Sequence, residues 1–381
     1  MKIVVASDSF KGSLSSEKII EIVKKSAKKV FKDAHVDGVF TADGGEGTMD
    51  AVLSEMSGEK KYLTVKGPLF EDVLSCYALI NKKTALIEMA KASGLTMVKE
   101  DKRNPYYTSS FGTGMLIKDA LSLGIKDIII GIGGSATNDG GIGAMTALGI
   151  KFLDKDKNIL KGYGKDLKDI CDIDLTNIDK RILDAHFTVM SDVKNPLLGE
   201  NGATYTFGTQ KGADSNILKN LEEGMKNYSD VVLKKTGKDF KDKEGAGAAG
   251  GLGYALMTFL NADLKSGIET VLDIVDFDEK IKDADLVITG EGRMDSQSAH
   301  GKVASGVGLR CRKYNVVCAA IVGSLLPGYE SIYDCGINTV MTTVNGVMGL
   351  NEAIDNAQEL YYDASCRLLN ALKCGMEMKN R

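Results

Sequence analysis

Residues 126–149 combine a strand, a glycine-rich turn and a helix in one continuous segment. The apolar, β-branched run 128–132 is typical of a buried parallel strand. Gly133, Gly134, Ser135 and Asn138 follow it, and apolar residues then recur at helical spacing. Glycines allow backbone N–H groups to approach an anion, and the N-terminus of a helix adds positive potential. The segment therefore predicts a binding site for a phosphate or a carboxylate, with a simple tight turn as the alternative.

A second segment of the chain has a similar composition. Residues 43–52 and 139–148 are identical at six positions, and each segment follows an apolar strand and opens a helix. The earlier segment contributes Gly44, Gly45 and Glu46. We expect the two loops to face one ligand, while chance similarity in a glycine-rich chain is the alternative.

Composition excludes several classes of protein. The 381 residues carry a net charge of -4 and no long basic run, so neither nucleic acid nor an anionic membrane is an expected partner. We expect no signal peptide and no membrane span, because no apolar run is long enough. The seven scattered cysteines fit reduced thiols. These features predict a cytoplasmic protein that acts on small molecules, with a homodimer as an open alternative.

The order of predicted elements indicates an α/β fold with two domains. One is a doubly wound parallel, Rossmann-like sheet built from both ends of the chain, residues 1–58, 105–150 and 284–381. The other is an inserted mixed-sheet α/β domain, residues 59–104 and 151–283, which begins with an antiparallel meander. We expect a ligand cleft between the two domains, at the carboxyl ends of the parallel strands.

Polar clusters follow five of the predicted strands, which suggests that they share one site. Lysine and arginine with glycine-rich amides suit phosphates, whereas aspartate, glutamate and asparagine suit Mg²⁺ and a general base. Phosphoryl transfer requires all of these groups together. The clusters are Asp8/Ser9/Lys11, Asp43/Glu46, Ser135/Asn138/Asp139, Asp192/Lys194/Asn195 and Glu291/Arg293/Asp295.

Known nucleotide motifs give a mixed result. The Gly131–Ala136 segment matches the dinucleotide pattern GxGxxA, and Asp154 follows at a suitable distance, so a nicotinamide-dependent oxidoreductase is one alternative. The Walker A pattern is absent, because Val303 follows Gly301 and Lys302. The signature sequences of protein kinases are absent as well.

Four blocks of the sequence combine glycines with polar residues: 8–15 (DSFKGSLS), 42–48 (ADGGEGT), 131–141 (GIGGSATNDGG) and 289–298 (TGEGRMDSQS). Together they resemble the signature blocks of bacterial class I glycerate kinases. The resemblance extends from residue 1 to about residue 373. It implies ATP-dependent phosphorylation of D-glycerate with Mg²⁺, on two α/β domains, with 2-phosphoglycerate as the usual product. Ala304 and the pair Ser109–Ser110 depart from the family pattern by small-for-small changes.

The expected roles of individual residues follow from the clusters and the resemblance. Backbone amides of Gly44, Gly45, Gly133, Gly134 and Ser135 would cradle nucleotide phosphates or the glycerate carboxylate. Lys11 and Arg293 would balance negative charge, and either Asp192 or Asp295 would accept the hydroxyl proton, although Asp295 could equally be a helix N-cap. Asp43 and Glu46 are the expected Mg²⁺ ligands. The remaining expected binding residues are Ser9, Asn138, Asn195, Glu291 and Ser296. A 3-phosphoglycerate product and a non-catalytic binding protein are further alternatives.

Overall fold

The computed structural model describes residues 1–379, which form two compact units. The strands are β1 (Lys2–Val5), β2 (His35–Gly38), β3 (Gly58–Lys66), β4 (Asp72–Ile80), β5 (Thr84–Glu88), β6 (Asp127–Gly131), β7 (Lys151–Leu153), β8 (Asp172–Asp174), β9 (His186–Met190), β10 (Asp263–Lys265), β11 (Leu286–Thr289), β12 (Arg293–Met294), β13 (Val317–Val322), β14 (Ser324–Leu325) and β15 (Thr339–Thr342). The helices are α1 (Ser16–Val30), α2 (Thr48–Glu55), α3 (Ala90–Ser93), α4 (Phe111–Ser122), α5 (Ile142–Ala147), α6 (Ala203–Phe207), α7 (Ser215–Thr236), α8 (Ala248–Leu260), α9 (Gly267–Ile274), α10 (Phe277–Ile281), α11 (Val303–Lys313), α12 (Leu350–Asp355) and α13 (Ala357–Lys379).

The first unit comprises Met1–Asp43 and the chain from Ile268 onward. Its sheet has five parallel strands in the order β15-β13-β11-β1-β2. Alternate residues of each strand enter different cores: Val4 packs in the cluster that includes α11, and Val5 in the cluster that includes α1 and α13. Because helices cover both faces, the central strands β1, β11 and β13 are nearly continuous apolar runs, as in other parallel sheets. This confirms the doubly wound sheet predicted from both ends of the chain.

Helix α1 shows how local sequence sets an element of this unit. Ser15 is its N-cap and accepts a hydrogen bond from the backbone N–H of Lys18 at 3.2 Å. Glu17 lies in the first turn and lysines in the last, which suits the helix dipole. The apolar residues at helical spacing, such as Ile19 and Val23, are fully buried against the sheet. The capping serine, the charges of the end turns and the apolar spacing together account for this helix.

The second unit comprises Gly44–Gly267. Its six-stranded sheet has the order β10-β9-β6-β5-β4-β3, in which β3, β4 and β5 pair antiparallel and the other neighbours pair parallel. The predicted antiparallel meander is therefore present, at the edge of a mixed sheet. Helices α4, α5, α7 and α8 contribute to its single large core.

The boundaries of the two units differ from those predicted. Residues 44–58 and 105–150 belong to the second unit rather than to the doubly wound one, and residues 268–283 belong to the first. The reason is strand pairing: β6 lies between β5 and β9, so the glycine-rich segment that follows β6 is part of the mixed sheet. Strand–turn–helix order is a local pattern that looks the same in both units, whereas the partner of a strand is set by distant parts of the chain.

In residues 1–379, none of the helices is both long and apolar enough to cross a membrane.

Candidate functional site

The first unit contains a cavity of about 550 Å³ at the carboxyl ends of its parallel strands. The chain leaves β1 toward β2 and leaves β11 toward β13, in opposite directions along the sheet, so β1 and β11 flank a topological switch point. Ligands of open α/β sheets bind at such a point. Loops after four strands line the cavity with Asp8, Ser9, Lys11, Glu291, Arg293, Ser324 and Thr343, and Asp43 lies on its wall.

Three cationic side chains line this cavity. Lys11 and Arg293 are exposed, and the side chain of Arg293 keeps 66% of its surface accessible. Lys302 pairs with Glu291, with 3.1 Å between Nζ and Oε2, and its Nζ lies 4.0 Å from Asp295 Oδ1. Lys302 was not among the residues selected from sequence, although it stands in the Gly301-Lys302 pair noted there. The cavity can therefore oppose a concentrated negative charge with Lys11, Arg293 and Lys302.

Carboxylates line the same cavity. Burial raises the pKa of Asp8, and the negative charges of Asp43 and Glu291 raise it further, while the N–H of Ser9 at 2.7 Å and the Lys11 ammonium lower it. Glu291 is buried, and its Oε1 has no hydrogen-bond partner. A buried carboxylate oxygen without a partner is costly, and a cation would satisfy it.

These carboxylates suit a particular kind of Mg²⁺ site. In residues 1–379, no group of three or more histidine, cysteine, aspartate or glutamate side chains is arranged to hold a metal by itself. Mg²⁺ is usually held by one or two carboxylates together with waters and substrate phosphates. One or two of the three carboxylates of Asp8, Asp43 and Glu291 would suffice for that second arrangement. Glu46, the other expected ligand, lies in the second unit.

Asp295 and Ser296 lie at the start of a short 3₁₀ helix, Ser296–Ala299. Asp295 is its N-cap: Oδ1 accepts a hydrogen bond from the N–H of Gln297 at 2.9 Å, and Ser298 completes a capping box. The guanidinium Nε of Arg293 lies 4.0 Å from Asp295 Oδ2. The capping alternative therefore describes the geometry of Asp295, and its carboxylate also helps to fix the cationic side chains beside it.

The two glycine-rich loops of the second unit lie side by side. A Cβ atom at Gly133 would stand 3.6 Å from the Cα of Gly45, and one at Gly131 would stand 2.8 Å from the carbonyl oxygen of Gly44. Gly133 and Gly134 are exposed. Gly134 also has a φ of 75°, in the left-handed region that favours glycine. The proximity of the loops supports the expectation, from their similar sequences, that they face one ligand.

A buried glutamate fixes the earlier of these loops. Glu88 ends β5, and its Oε1 accepts a hydrogen bond from the N–H of Met49 at 2.7 Å, which satisfies one free donor at the start of α2. Burial raises the pKa of Glu88, against the lowering effects of that hydrogen bond and of Lys91. Glu46 lies nearby at the exposed side of the loop and raises the same pKa.

Beneath the second loop lies a buried lysine that sequence reasoning missed. Lys211 is 3% exposed, and its Nζ donates hydrogen bonds to Ser135 Oγ at 2.8 Å and to the carbonyl oxygen of Thr137 at 2.7 Å. Burial lowers the pKa of Lys211 to about 7, and the negative charge of Asp139 opposes that change. A signal was present, because Lys211 is the single charged residue in the stretch 202–213.

Asp139 and Asn138 also support the loop from inside the protein. Asp139 is fully buried, and Oδ2 accepts hydrogen bonds from the N–H and the hydroxyl of Ser110, each at 2.7 Å, and from the N–H of Gly143 at 3.2 Å. Burial raises the pKa of Asp139 in spite of these hydrogen bonds. Asn138 is fully buried as well and donates to Thr204 Oγ1 at 3.2 Å. Both residues therefore maintain the conformation of the loop from inside the protein, and neither is part of its exposed surface.

Asp192 and Asn195 lie in the loop after β9, in the second unit. Asp192 is exposed, and its Oδ1 accepts a hydrogen bond from the N–H of Gly267 at 3.3 Å. Asn195 donates from Nδ2 to the carbonyl oxygen of Asn201 at 2.8 Å, which fixes the turn at Pro196. Six residues of the predicted clusters therefore share the cavity of the first unit, namely Asp8, Ser9, Lys11, Asp43, Glu291 and Arg293. The loops of the second unit carry the other predicted residues apart from Asp295 and Ser296.

Comparisons with known proteins agree with the resemblance seen in the sequence. Over residues 3–373 the chain matches the sequence model described as "Glycerate kinase family". It is 45% identical over 377 residues to "Glycerate 2-kinase" of Escherichia coli (strain K12), covering 99% of each chain. It is 44% identical over 368 residues to "Glycerate kinase" of Bacillus subtilis (strain 168), covering 96% of each.

A solved structure extends this similarity to three dimensions. The crystal structure of a protein assigned as glycerate kinase 2 from Salmonella typhimurium LT2 superposes with a TM-score of 0.88, at 40% sequence identity, and 99% of each chain is covered. Sequence and fold are thus shared along nearly the whole length. The chain belongs to the glycerate kinase family.

Proposed function

We propose that this protein is an ATP-dependent glycerate kinase that transfers the γ-phosphoryl group of ATP to the 2-hydroxyl of D-glycerate, forming 2-phosphoglycerate. Family membership supports the activity, and the name of the E. coli relative supports the position of transfer. The structural observation that carries the proposal is the cavity at the switch point between β1 and β11, which combines cationic and carboxylate side chains.

The charges of this cavity suit phosphoryl transfer. The transferred group carries negative charge on its equatorial oxygens, and catalysis consists largely of positioning and of electrostatic stabilisation. Lys11, Arg293 and Lys302 would stabilise that charge. Mg²⁺, bound mainly by the phosphates and facing Asp8, Asp43 and Glu291, would neutralise part of the charge of the nucleotide. In the second unit, exposed amides of Gly133 and Gly134 would bind an anionic group, with Gly44 and Gly45 beside them.

The proton of the attacking hydroxyl requires an acceptor. Asp192 and Asp295 are the candidates from sequence, and Asp8 joins them because it lines the cavity, a role that would leave Mg²⁺ to Asp43 and Glu291. Each of the three carboxylates accepts a backbone hydrogen bond, Asp295 from Gln297, Asp192 from Gly267 and Asp8 from Ser9, so substitution of each one is needed to rank them.

The test supplies MgATP and D-glycerate to the purified protein and couples the product directly to enolase. A signal without added phosphoglycerate mutase is expected and identifies 2-phosphoglycerate. A signal that appears only with the mutase would identify the 3-phosphoglycerate alternative. Binding without turnover in either assay would contradict the kinase and favour a metabolite-binding protein. Omitting D-glycerate measures background hydrolysis of ATP.

The oxidoreductase alternative receives little support from the structure. In dinucleotide-binding folds the glycine turn leads directly into a helix whose N-terminus faces the pyrophosphate. Here α5 begins only at Ile142, after a buried stretch that includes Thr137, Asn138 and Asp139. A cytoplasmic location and a homodimer stay predictions from the sequence.

A further inference from the structure

The lining of the cavity in the first unit combines charged and apolar side chains. The apolar part is lined by Val344, Leu350, Ala353, Ile354 and Ala357, from the loop after β15 and from the α12–α13 segment, with Phe10 nearby. The charged part contains the lysines and the arginine described above. A ligand that fills the whole cavity must therefore carry both an apolar group and an anionic group.

Most of the apolar side chains here are not part of the protein core. Leu350 is 76% exposed and Ile354 is 36% exposed, and neither belongs to the buried clusters of the first unit. Exposed apolar side chains that adjoin one another on the wall of a cavity indicate a binding surface, whereas single ones need no explanation. The α12 side of the cavity thus has the properties of a surface that a flat apolar ligand would cover.

The volume of the cavity favours ATP over D-glycerate as its ligand. The volume of about 550 Å³ lies within the range of about 300–1,000 Å³ that is typical for drug-sized ligands. D-glycerate is a three-carbon acid with polar groups on every carbon, so it would neither fill this space nor satisfy an apolar wall. A nucleoside triphosphate matches both the volume and the combination of apolar and cationic side chains.

We propose that this cavity is the nucleotide subsite of the enzyme, with the base of ATP against Leu350, Ala353 and Ile354 and the phosphates toward Lys11, Arg293 and Lys302. The proposal rests on the proposed kinase function and adds which of the two units takes the nucleotide. These apolar side chains contact the faces of the base and cannot read its hydrogen-bonding edges. They therefore predict weak discrimination between ATP and GTP, by about tenfold or less.

The decisive experiment places a carboxylate in the apolar wall. In Ile354→Asp, the charged group would have to be desolvated against the base, which is costly, so the KM for ATP should rise by about tenfold or more. The KM for D-glycerate should stay within about twofold. Leu309→Asp is the matched control, because Leu309 is a helical residue of the same unit, 39% exposed, and lies outside the cavity. It should change neither constant.

A direct binding measurement keeps this inference separate from the proposed reaction. Titration with a fluorescent ATP analogue that carries its label on the ribose should show weaker binding to Ile354→Asp than to the wild type and to Leu309→Asp. Absence of turnover with D-glycerate in the wild type would defeat the proposed function, and the titration would still test the subsite. A rise in the KM for D-glycerate alone, or equal ATP binding by all three proteins, would overturn the assignment.

Discussion

The two candidate anion-binding regions of this protein are built in opposite ways. In the first unit, Lys11 and Arg293 carry their charges on exposed side chains around an open cavity. In the second unit, the loop exposes Gly133 and Gly134, and the cation Lys211 is buried beneath it. Exposed charges can follow a mobile triphosphate, but solvent and salt weaken them. A backbone cradle held by buried hydrogen bonds is rigid and nearly independent of salt, which suits a small ligand of fixed shape.

The largest expected effect tests the exposed cations. Arg293→Met should lower kcat/KM by about 100-fold, because one preorganised donor to the transferring charge typically contributes that much. The side chain of Arg293 is mostly exposed, so thermal unfolding should be nearly unchanged. Arg312→Met is the control, since Arg312 is an exposed arginine of α11 that does not line the cavity. Equal activity in both variants would show that Arg293 does not take part in the reaction.

The titration of the buried Lys211 should change how the free energy of unfolding depends on pH. The folded-state pKa of Lys211 is about 7, below its ordinary value of 10.5. Between these values the unfolded chain binds more protons than the folded protein, so the contribution of Lys211 to stability rises with pH through this window. From pH 7 to pH 9, the free energy of unfolding of the wild type should therefore increase by about 2 kcal/mol relative to that of Lys211→Met.

Urea denaturation of both proteins at the two pH values measures this difference. Asp139 is the charged group that acts on Lys211, and it is present in both proteins, so its own titration largely cancels. Parallel pH profiles would show that Lys211 keeps its charge when it is buried.

A smaller effect is expected when the glycine-rich loop loses its hydrogen bond to Lys211. Ser135→Ala removes the hydroxyl that accepts the hydrogen bond from Lys211, and the lost alignment of the loop should raise the KM for D-glycerate by about fivefold. The KM for ATP should change little if the nucleotide binds in the first unit. Ser229→Ala is the control, because Ser229 is also a buried serine, but it bonds only to its own helix. If instead the KM for ATP rises alone, the loop serves the nucleotide.

The smallest expected effect is a difference in salt dependence between the two anion-binding regions of the wild-type protein. Raising the salt concentration from 0.05 to 0.5 M should increase the KM for ATP by about threefold, because exposed charges are screened over a shorter distance. The KM for D-glycerate should rise less. Initial-rate kinetics at a series of KCl concentrations measure both. A steeper rise for D-glycerate would reverse the comparison.

Much of the cavity in the first unit could be predicted because its chemistry is local. Ser9, Lys11, Glu291 and Arg293 each follow an apolar strand directly, and the carboxyl ends of parallel strands must meet at one edge of a sheet. The four signature blocks identified the family for the same reason, because each is continuous in sequence.

The features that could not be predicted depend on contacts between distant parts of the chain. Pairing of β6 with β5 and β9 decides which unit holds the glycine-rich loop, and no single segment contains that information. Lys211 reaches Ser135 only because the fold brings the two together. Lys302 was set aside with the Walker A pattern, although its partner Glu291 was already a candidate. The apolar side chains of α12 that line the cavity could not be predicted, because exposed apolar residues have no sequence signature of their own.

The insertion of one unit within the other has a consequence for synthesis on the ribosome. Strand β1 lies inside its sheet, between β2 and β11, and Val5 pairs with Ile288. The whole of the second unit is therefore translated before β1 can gain its second neighbour. That unit has its own core, and its ends lie together, since a Cβ at Gly44 would stand 2.8 Å from the Cα of Gly267. The second unit can fold while the nascent chain is still growing, and β1, although it is translated before that unit, is among the last strands to complete its pairing.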